Sequence, residues 1–238
     1  MNLSVRKIVM SGILGAITIL LGATGWGFIP VPTPAGHATI MHIPTILGGV
    51  LEGPVVGLIT GAIFGLFSLL RPGAAFFTDP LVAVLPRLFI GVTAYLTYMA
   101  AKKMKSGPAS VFAGMVALAI TAYLVYSSTQ VYSTLVSIIT GIAGVGLTVL
   151  LVYAAHRWNL VVACVLAGLV GSLTNTILVL GMATIRNYLT FEVSVSVAIL
   201  HGVPEAAVAA ILTVFLVKGI QRIRGFDSAQ PQNGALPR

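Results

Sequence analysis

Long apolar runs separated by short polar or Pro/Gly-rich joints set the rhythm of this chain. Seven runs are long enough to read as membrane helices: Ile8–Phe28, Pro54–Leu70, Leu81–Ala100, Ala109–Tyr126, Val131–Ala155, Leu160–Met182 and Val193–Val217. An eighth, Ile43–Leu51, rises only ~14 Å as a helix, about half of a ~30 Å hydrocarbon core. It must tilt, borrow its flanks or be shielded by other protein. Gly53-Pro54 turns this short helix sharply into the next one, which carries Gly57, Gly61 and Gly65 at four-residue spacing. Such a stripe lets another helix backbone approach closely. Gly12, Gly15 and Ala16 make a comparable small-residue face on the first helix. Spacing alone leaves that face open to internal packing or to an outside partner.

Two joints carry aromatic residues. Trp26 to Pro34 places Trp26 and Phe28 at an interface and predicts an extended loop through Pro30, Pro32 and Pro34. Arg71–Pro80 contains Phe76 and Phe77. On one side of a membrane the two loops read equally as a lid or as interfacial anchors. Residues 225–238 are polar and Pro/Gly-containing and predict a disordered tail after a single transmembrane domain, 1–224.

Composition agrees with the pattern. Of 238 residues 58% are hydrophobic and 8% charged, with mean hydropathy +1.04, against about 25% charged in soluble domains. The net charge of +8 sits at the ends of apolar runs, as membrane topology requires, and does not indicate nucleic acid. One cysteine, Cys164, excludes an intrachain disulfide. The first run is read as a retained helix, since a secretory signal has a shorter apolar core.

Eight apolar segments put both termini on one side. Assigned to the cytoplasm, that side collects Arg6, Lys7, Lys102, Lys103, Lys105, Arg157, Lys218, Arg222 and Arg224, leaving Arg71 and Arg186 outside. Depth along the helices then places Arg87, Asn175 and His201 roughly 9–12 Å below the outer surface and Glu205 one turn deeper. A charge within a span costs roughly 2.5–3.5 kcal/mol on insertion scales and marks a functional site by default. A cation ringed by hydrogen-bonding groups suits a small carboxylate-bearing ligand. A purely structural Arg87–Glu205 ion pair is the competing reading. Pro204 is expected to kink the last helix beside His201. His37, Thr39 and His42, in or just after the first outer loop, are candidate contacts from above; their spacing is a poor metal signature and no metal is expected. Glu52, in the cytoplasmic turn, reads as a partner contact or a helix-end residue.

No G-x-x-x-x-G-K-[ST], H-E-x-x-H or G-x-S-x-G motif occurs. The chain reads as a binding protein, not an enzyme. A proton-coupled secondary transporter using Glu205 and His201 is the alternative, and a membrane enzyme ranks third.

Four segments in order carry a family resemblance: HIPTILGGVLEGPVVGLITGAIFGLFSLL, PLVAVLPRLFIGVTAYLTY, GSLTNTILVLGM and HGVPEAAVAAILTVFLVKGI. Together they resemble the substrate-binding S components of energy-coupling factor (ECF) vitamin transporters, most of all the pantothenate-type branch, over residues 6–104 and 160–221. The resemblance implies an all-α membrane bundle of six core helices, here with an inserted helical hairpin at about 109–155 and both termini cytoplasmic. It implies a plasma-membrane protein that captures a vitamin from outside, with pantothenate first and folate or another vitamin or precursor behind it. It further implies docking on an energising module of one transmembrane coupling subunit and two ATPases, so that ATP is used by the partners and no cofactor is held by this chain. By the same resemblance Gly12 and Ala16, with Gly15 beside them, form the docking face, the loops at 29–42 and 71–80 gate the site, and Arg87 and Asn175 line it. His201 stands where the family usually has Asn, and Gly12 where Ala is usual.

Overall fold

In a computed structural model the described residues are 4–33, 36–103, 134–157, 159–229 and parts of 111–129. Helices dominate: α1 Val5–Thr24, α2 Ile43–Glu52, α3 Pro54–Leu70, α4 Pro80–Ala83, α5 Leu85–Lys103, α6 Thr134–Arg157, α7 Asn159–Ile185, α8 Phe191–Val197 and α9 Val203–Ala229. Four helical stretches are long and apolar enough to cross a membrane: Val5–Thr24, Pro80–Lys103, Leu160–Ile185 and Phe191–Ile223. The chain is an all-α membrane protein with one small β element. Of the expected hairpin, Ala109–Tyr126 is described in part, as short helical pieces between 111 and 126, while Val131–Ala155 corresponds to α6.

Sequence-level punctuation explains the boundaries. Ser4 caps α1, its hydroxyl accepting from the Lys7 amide at 3.4 Å. Gly25, at φ 81°, ends that helix in the left-handed region open to glycine. Pro44 and Pro54 occupy first-turn positions of α2 and α3, where a missing N–H costs nothing. At the end of α7, Asn187 takes φ 60°. The Tyr188 amide reaches back to Ala183 at 2.9 Å and that of Asn187 to Thr184 at 2.9 Å, closing the helix and aiming Arg186 outward.

α2 is the hub of the packing. Ile43 through Val50 are all buried, against α1, α3, α5, α7 and α9. Its Ile46 joins Val56, Ile90, Ala94, Ala163, Ala167, Ala209 and Val217 in one enclosed apolar cluster. The short helix is therefore shielded by protein, as its length demands. The glycine stripe of α3 meets α5 backbone to backbone. A Cβ built on Gly57 stands 2.8 Å from the Gly91 Cα, and one on Gly65 stands 2.8 Å from the Val84 Cα. One on Gly61 collides with the Arg87 carbonyl, and one on Gly49 of α2 with the Gly91 carbonyl. Three helix backbones thus converge where no side chain fits.

Several expectations change in detail. The Pro-rich loop is a two-stranded antiparallel hairpin, β1 Phe28–Thr33 with β2 Gly36–Thr39, pairing Phe28 with Thr39 and Pro30 with His37. The span expected at Leu81–Ala100 breaks at Val84, where a turn separates α4 from α5 two residues before Pro86. The kink expected at Pro204 is a π-helical segment, Ala198–Gly202: Pro204 has no N–H for the Leu200 carbonyl, and the chain takes up the slack by widening one turn. α9 runs on to Ala229, into the stretch expected to be disordered.

Gly15 is corrected as a docking residue. It is buried, and a Cβ there would lie 2.5 Å from Ile63 Cδ1 of α3; its place is inside the bundle. Gly12, by contrast, has nothing within 4 Å, and Ala16 is exposed. Gly61→Ala should lower thermal stability in detergent by about 1–3 kcal/mol through overpacking, while Gly12→Ala should leave the melting temperature unchanged. Equal effects at both positions would contradict this assignment of the two faces.

Candidate functional site

The ends of α1, α3 and α7, the start of α5, the β-hairpin and the π segment meet at one end of the bundle around a cavity of about 370 Å³. Arg87, Asn175, His201, Glu205, His37 and Thr39 all line it. Six of the seven candidate binding residues are therefore brought together from α5, α7, α9, the π segment and the hairpin. His42 is the exception and a correction: it caps α2 with 0% exposure, beneath the lining rather than above it. As the residue that starts the most enclosed helix, it is carried inward with that helix.

Arg87 is 3% exposed and held from several directions. Pro86 lacks the N–H that would bond the Val82 carbonyl four residues back. The Arg87 Nη1 donates to that carbonyl instead, at 2.5 Å. The guanidinium lies 4.6 Å from the centroid of the Phe77 ring and 5.4 Å from that of Phe64, which holds its charge by ring electrostatics where water is scarce. Its Nε has no hydrogen-bond partner among the described residues, nor has Asn175 Oδ1. The site thus keeps one strong donor and one acceptor in reserve.

Glu205 stands across the cavity, 6% exposed. Its Oε1 accepts the Thr39 backbone amide at 2.5 Å, tying the base of the hairpin to α9. The Thr39 hydroxyl donates to the Gly27 carbonyl at 3.1 Å and accepts from the Met41 amide at 3.1 Å, locking the entry to α2. Arg87 and Glu205 form no direct ion pair among the described residues; the ion pairs there are Arg6–Glu52 and Asp79–Arg186. The competing reading, a purely structural Arg87–Glu205 ion pair, is not met among the described residues. Thr24, Ser68, Arg71 and Thr176 add further polar groups to the lining, and the rest is largely apolar and aromatic, with Phe28, Phe64, Phe67, Phe76 and Phe77 among it. Phe28 also packs on the His37 ring, 5.9 Å between centroids. Among the described residues no group of His, Cys, Asp and Glu is arranged to hold a metal ion.

Two acidic residues acquire roles that spacing did not reveal. Glu52 takes both Nε and Nη2 of Arg6, at 3.2 and 2.9 Å, joining the start of α1 to the α2–α3 turn at the end away from the cavity. Asp79 caps α4 through the Leu81 amide at 2.9 Å and binds Arg186 at 2.8 Å. That pair bridges the Phe76–Phe77 loop to the end of α7 on the cavity rim. An acid immediately before Pro80 was the available signal for the cap; its partner, more than a hundred residues later, had none.

The first half of the chain carries a family signature. Residues 6–134 match the family described as ECF transporter, substrate-specific component. The chain belongs to this family. The matched span contains α1 through α5, hence Arg87, the hairpin and the glycine contact; Asn175, His201 and Glu205 of the S component lie beyond it. The family is a transporter component rather than an enzyme family, and its members are membrane proteins that bind substrate and partner an energising module. No curated protein matches the chain.

The rim pair has a pH signature. The Leu81 amide, and then the Arg186 guanidinium, hold the Asp79 carboxyl below its ordinary 3.8. A lowered folded value means that this stabilisation is complete above the unfolded value and is lost as pH falls through the lower folded one. The S component should lose thermal stability on acidification below about pH 4, and Asp79→Asn should flatten that dependence. An unchanged acid slope in the variant would remove Asp79 from this role.

Proposed function

We propose that this S component captures a vitamin bearing a carboxylate from outside the cell and hands it to an ATP-driven ECF module for import, with pantothenate the first candidate. The observation that carries the reading is the half-open cavity lined by both Arg87, which is flanked by Phe64 and Phe77 and keeps an unused donor, and Asn175, which keeps an unused acceptor. A carboxylate suits Arg87 as a charge-assisted partner. Hydroxyl and amide groups suit Asn175, His201 and the open side of Glu205, and gem-dimethyl carbons suit the phenylalanines. The size fits a small vitamin, since ligand pockets run from about 300 to 1,000 Å³. Folate and other vitamins or precursors share the acid and remain in the panel to be tested.

In this reading the cavity faces outward and both termini face the cytoplasm, in keeping with the clustering of Lys102, Lys103, Lys218 and Arg222 toward the opposite helix ends. The protein sits in the plasma membrane as a single domain, with the hairpin of 109–155 inserted into a six-helix core. His37 and Thr39, on the hairpin, cover the ligand, and the Asp79–Arg186 pair steadies the second loop. Release then falls to the partner assembly, a transmembrane coupling subunit and two ATPases. Gly12 and Ala16 supply the docking face: they are exposed on α1, and absent side-chain bulk permits close helix approach. The alternative, proton coupling through Glu205 and His201, predicts uptake that a protonophore alone abolishes.

Mass spectrometry of small molecules released from denatured protein, purified from cells grown in rich medium, tests capture directly; a stoichiometric vitamin is expected. Arg87→Ala should weaken binding of that vitamin by at least about tenfold, the loss of a charged hydrogen bond, while the protein still inserts. Unchanged affinity would take Arg87 out of the site. Gly12→Leu should leave binding intact and block uptake in cells that co-express the ATPases. Uptake at the wild-type rate would refute docking through α1.

A further inference from the structure

Beneath the cavity lies a set of polar groups that surface capture leaves unused. Among the described residues, the buried side chains with a polar atom lacking a hydrogen-bond partner are His42, through both ring nitrogens, Thr45, Arg87, Ser172, Asn175 and Thr213. All but Thr213 belong to α2 and its cap, α5 and α7. These helices pack on one another. Gly171 marks their junction: a Cβ there would lie 2.7 Å from Ile46 Cγ1 of α2 and 3.3 Å from Ala94 Cβ of α5. Thr45 and Ser172 are the chain neighbours of that contact and are both fully enclosed. His42 precedes Thr45 by three residues and Asn175 follows Ser172 by three, so each pair shares a helix face. The imidazole of His42 is also within electrostatic reach of Arg87.

The unpartnered hydroxyls depart from local habit. A helical Thr or Ser in an apolar setting normally donates to the carbonyl one turn back, as Thr60, Thr93, Thr174 and Thr184 do at 2.7–3.0 Å. Ser172, in the middle of α7, makes no such bond, and Thr45, in the first turn of α2 where no helical carbonyl lies four residues back, has no other partner. Buried polar groups are otherwise paired, and a concentration of exceptions calls for a guest. The inventory is rich in donors: the Arg87 Nε–H, two hydroxyls and one imidazole nitrogen, against the Asn175 oxygen and the other imidazole nitrogen. A carboxylate, which only accepts, is the group such a set would take.

We infer that the cavity floor, closed in this structure, opens on ligand binding into an inner subsite in which Thr45, Ser172 and His42, one turn or so inward of the lining, receive the carboxylate of the ligand. This rests on the acid-capture reading above and extends it, since it puts the acid at the deepest point and the rest of the molecule against the phenylalanines. Specificity then has two tiers. The inner subsite demands the acid, and the lined cavity selects what is attached to it.

Two arms separate this subsite from the capture reading. In full-length protein in membranes, with Cys164 replaced by alanine, Ser172→Cys and Thr45→Cys are treated with a small aqueous thiosulfonate. Both thiols should react, and propionate, but not propan-1-ol, should slow the reaction. No reaction at either position, or no protection by propionate, would overturn the subsite whatever the vitamin is. In the second arm, Ser172→Ala should weaken binding of pantothenate, or of whichever vitamin acid co-purifies, by about tenfold, and leave affinity for the corresponding alcohol, panthenol in the first case, unchanged. Unaltered acid affinity in Ser172→Ala refutes the subsite. Wild-type protein that binds no vitamin acid, together with propionate protection of the thiols in Thr45→Cys and Ser172→Cys, refutes the capture reading and leaves the subsite standing.

Discussion

Backbone contact between α3 and α5 is the constraint on which the rest of this molecule depends. Gly57, Gly61 and Gly65 bring α3 against Gly91, the Arg87 carbonyl and Val84 with no side chain between, and Gly49 of α2 closes on the same Gly91. In a bilayer, where burial of apolar surface offers no net gain between helices, such close packing is a main source of association. It also fixes the position of Arg87, whose own backbone is part of the contact. A buried cation needs rigid surroundings, and here the rigidity comes from glycines on the neighbouring helices.

From that fixed backbone the site is assembled by local chemistry. Pro86 frees the Val82 carbonyl and Arg87 takes it. Phe64 of α3 and Phe77 of the following loop supply ring faces to the guanidinium. Across the cavity, Pro204 widens the helix into the π segment that carries His201, and Glu205, just after it, anchors the hairpin through Thr39. Two prolines that break regular hydrogen bonding therefore mark the two polar walls. In each case a freed backbone or a widened turn is what lets a polar side chain turn inward.

Much of this was legible in the residues. The short helix Ile43–Glu52 and the helix Pro54–Leu70 were read nearly to their ends, because Pro44, Gly53 and Pro54 punctuate them. Depth counting brought Arg87, Asn175 and His201 to one level, with Glu205 one turn deeper, since a helix converts residue number into distance. The count could not tell that His42 lies under the floor, because direction around the axis of a wholly buried helix leaves no amphipathic trace. Nor could it separate Gly15, packed on Ile63, from Gly12, one turn away and open: both are small residues on an apolar helix, and only the neighbour distinguishes them.

The sequence by itself determined the class of environment, the order of the helices and the chemistry available at each depth, since hydropathy, helical rise and proline stereochemistry are properties of the chain alone. Tertiary structure decided which groups met. Asp79 finds Arg186 across 107 residues and Glu52 finds Arg6 across 46, while Thr45 and Ser172 are left enclosed without partners. Pairings of this kind depend on how helices cross and rotate. The crossing is set by glycine contacts between elements, and no periodicity within one element encodes it.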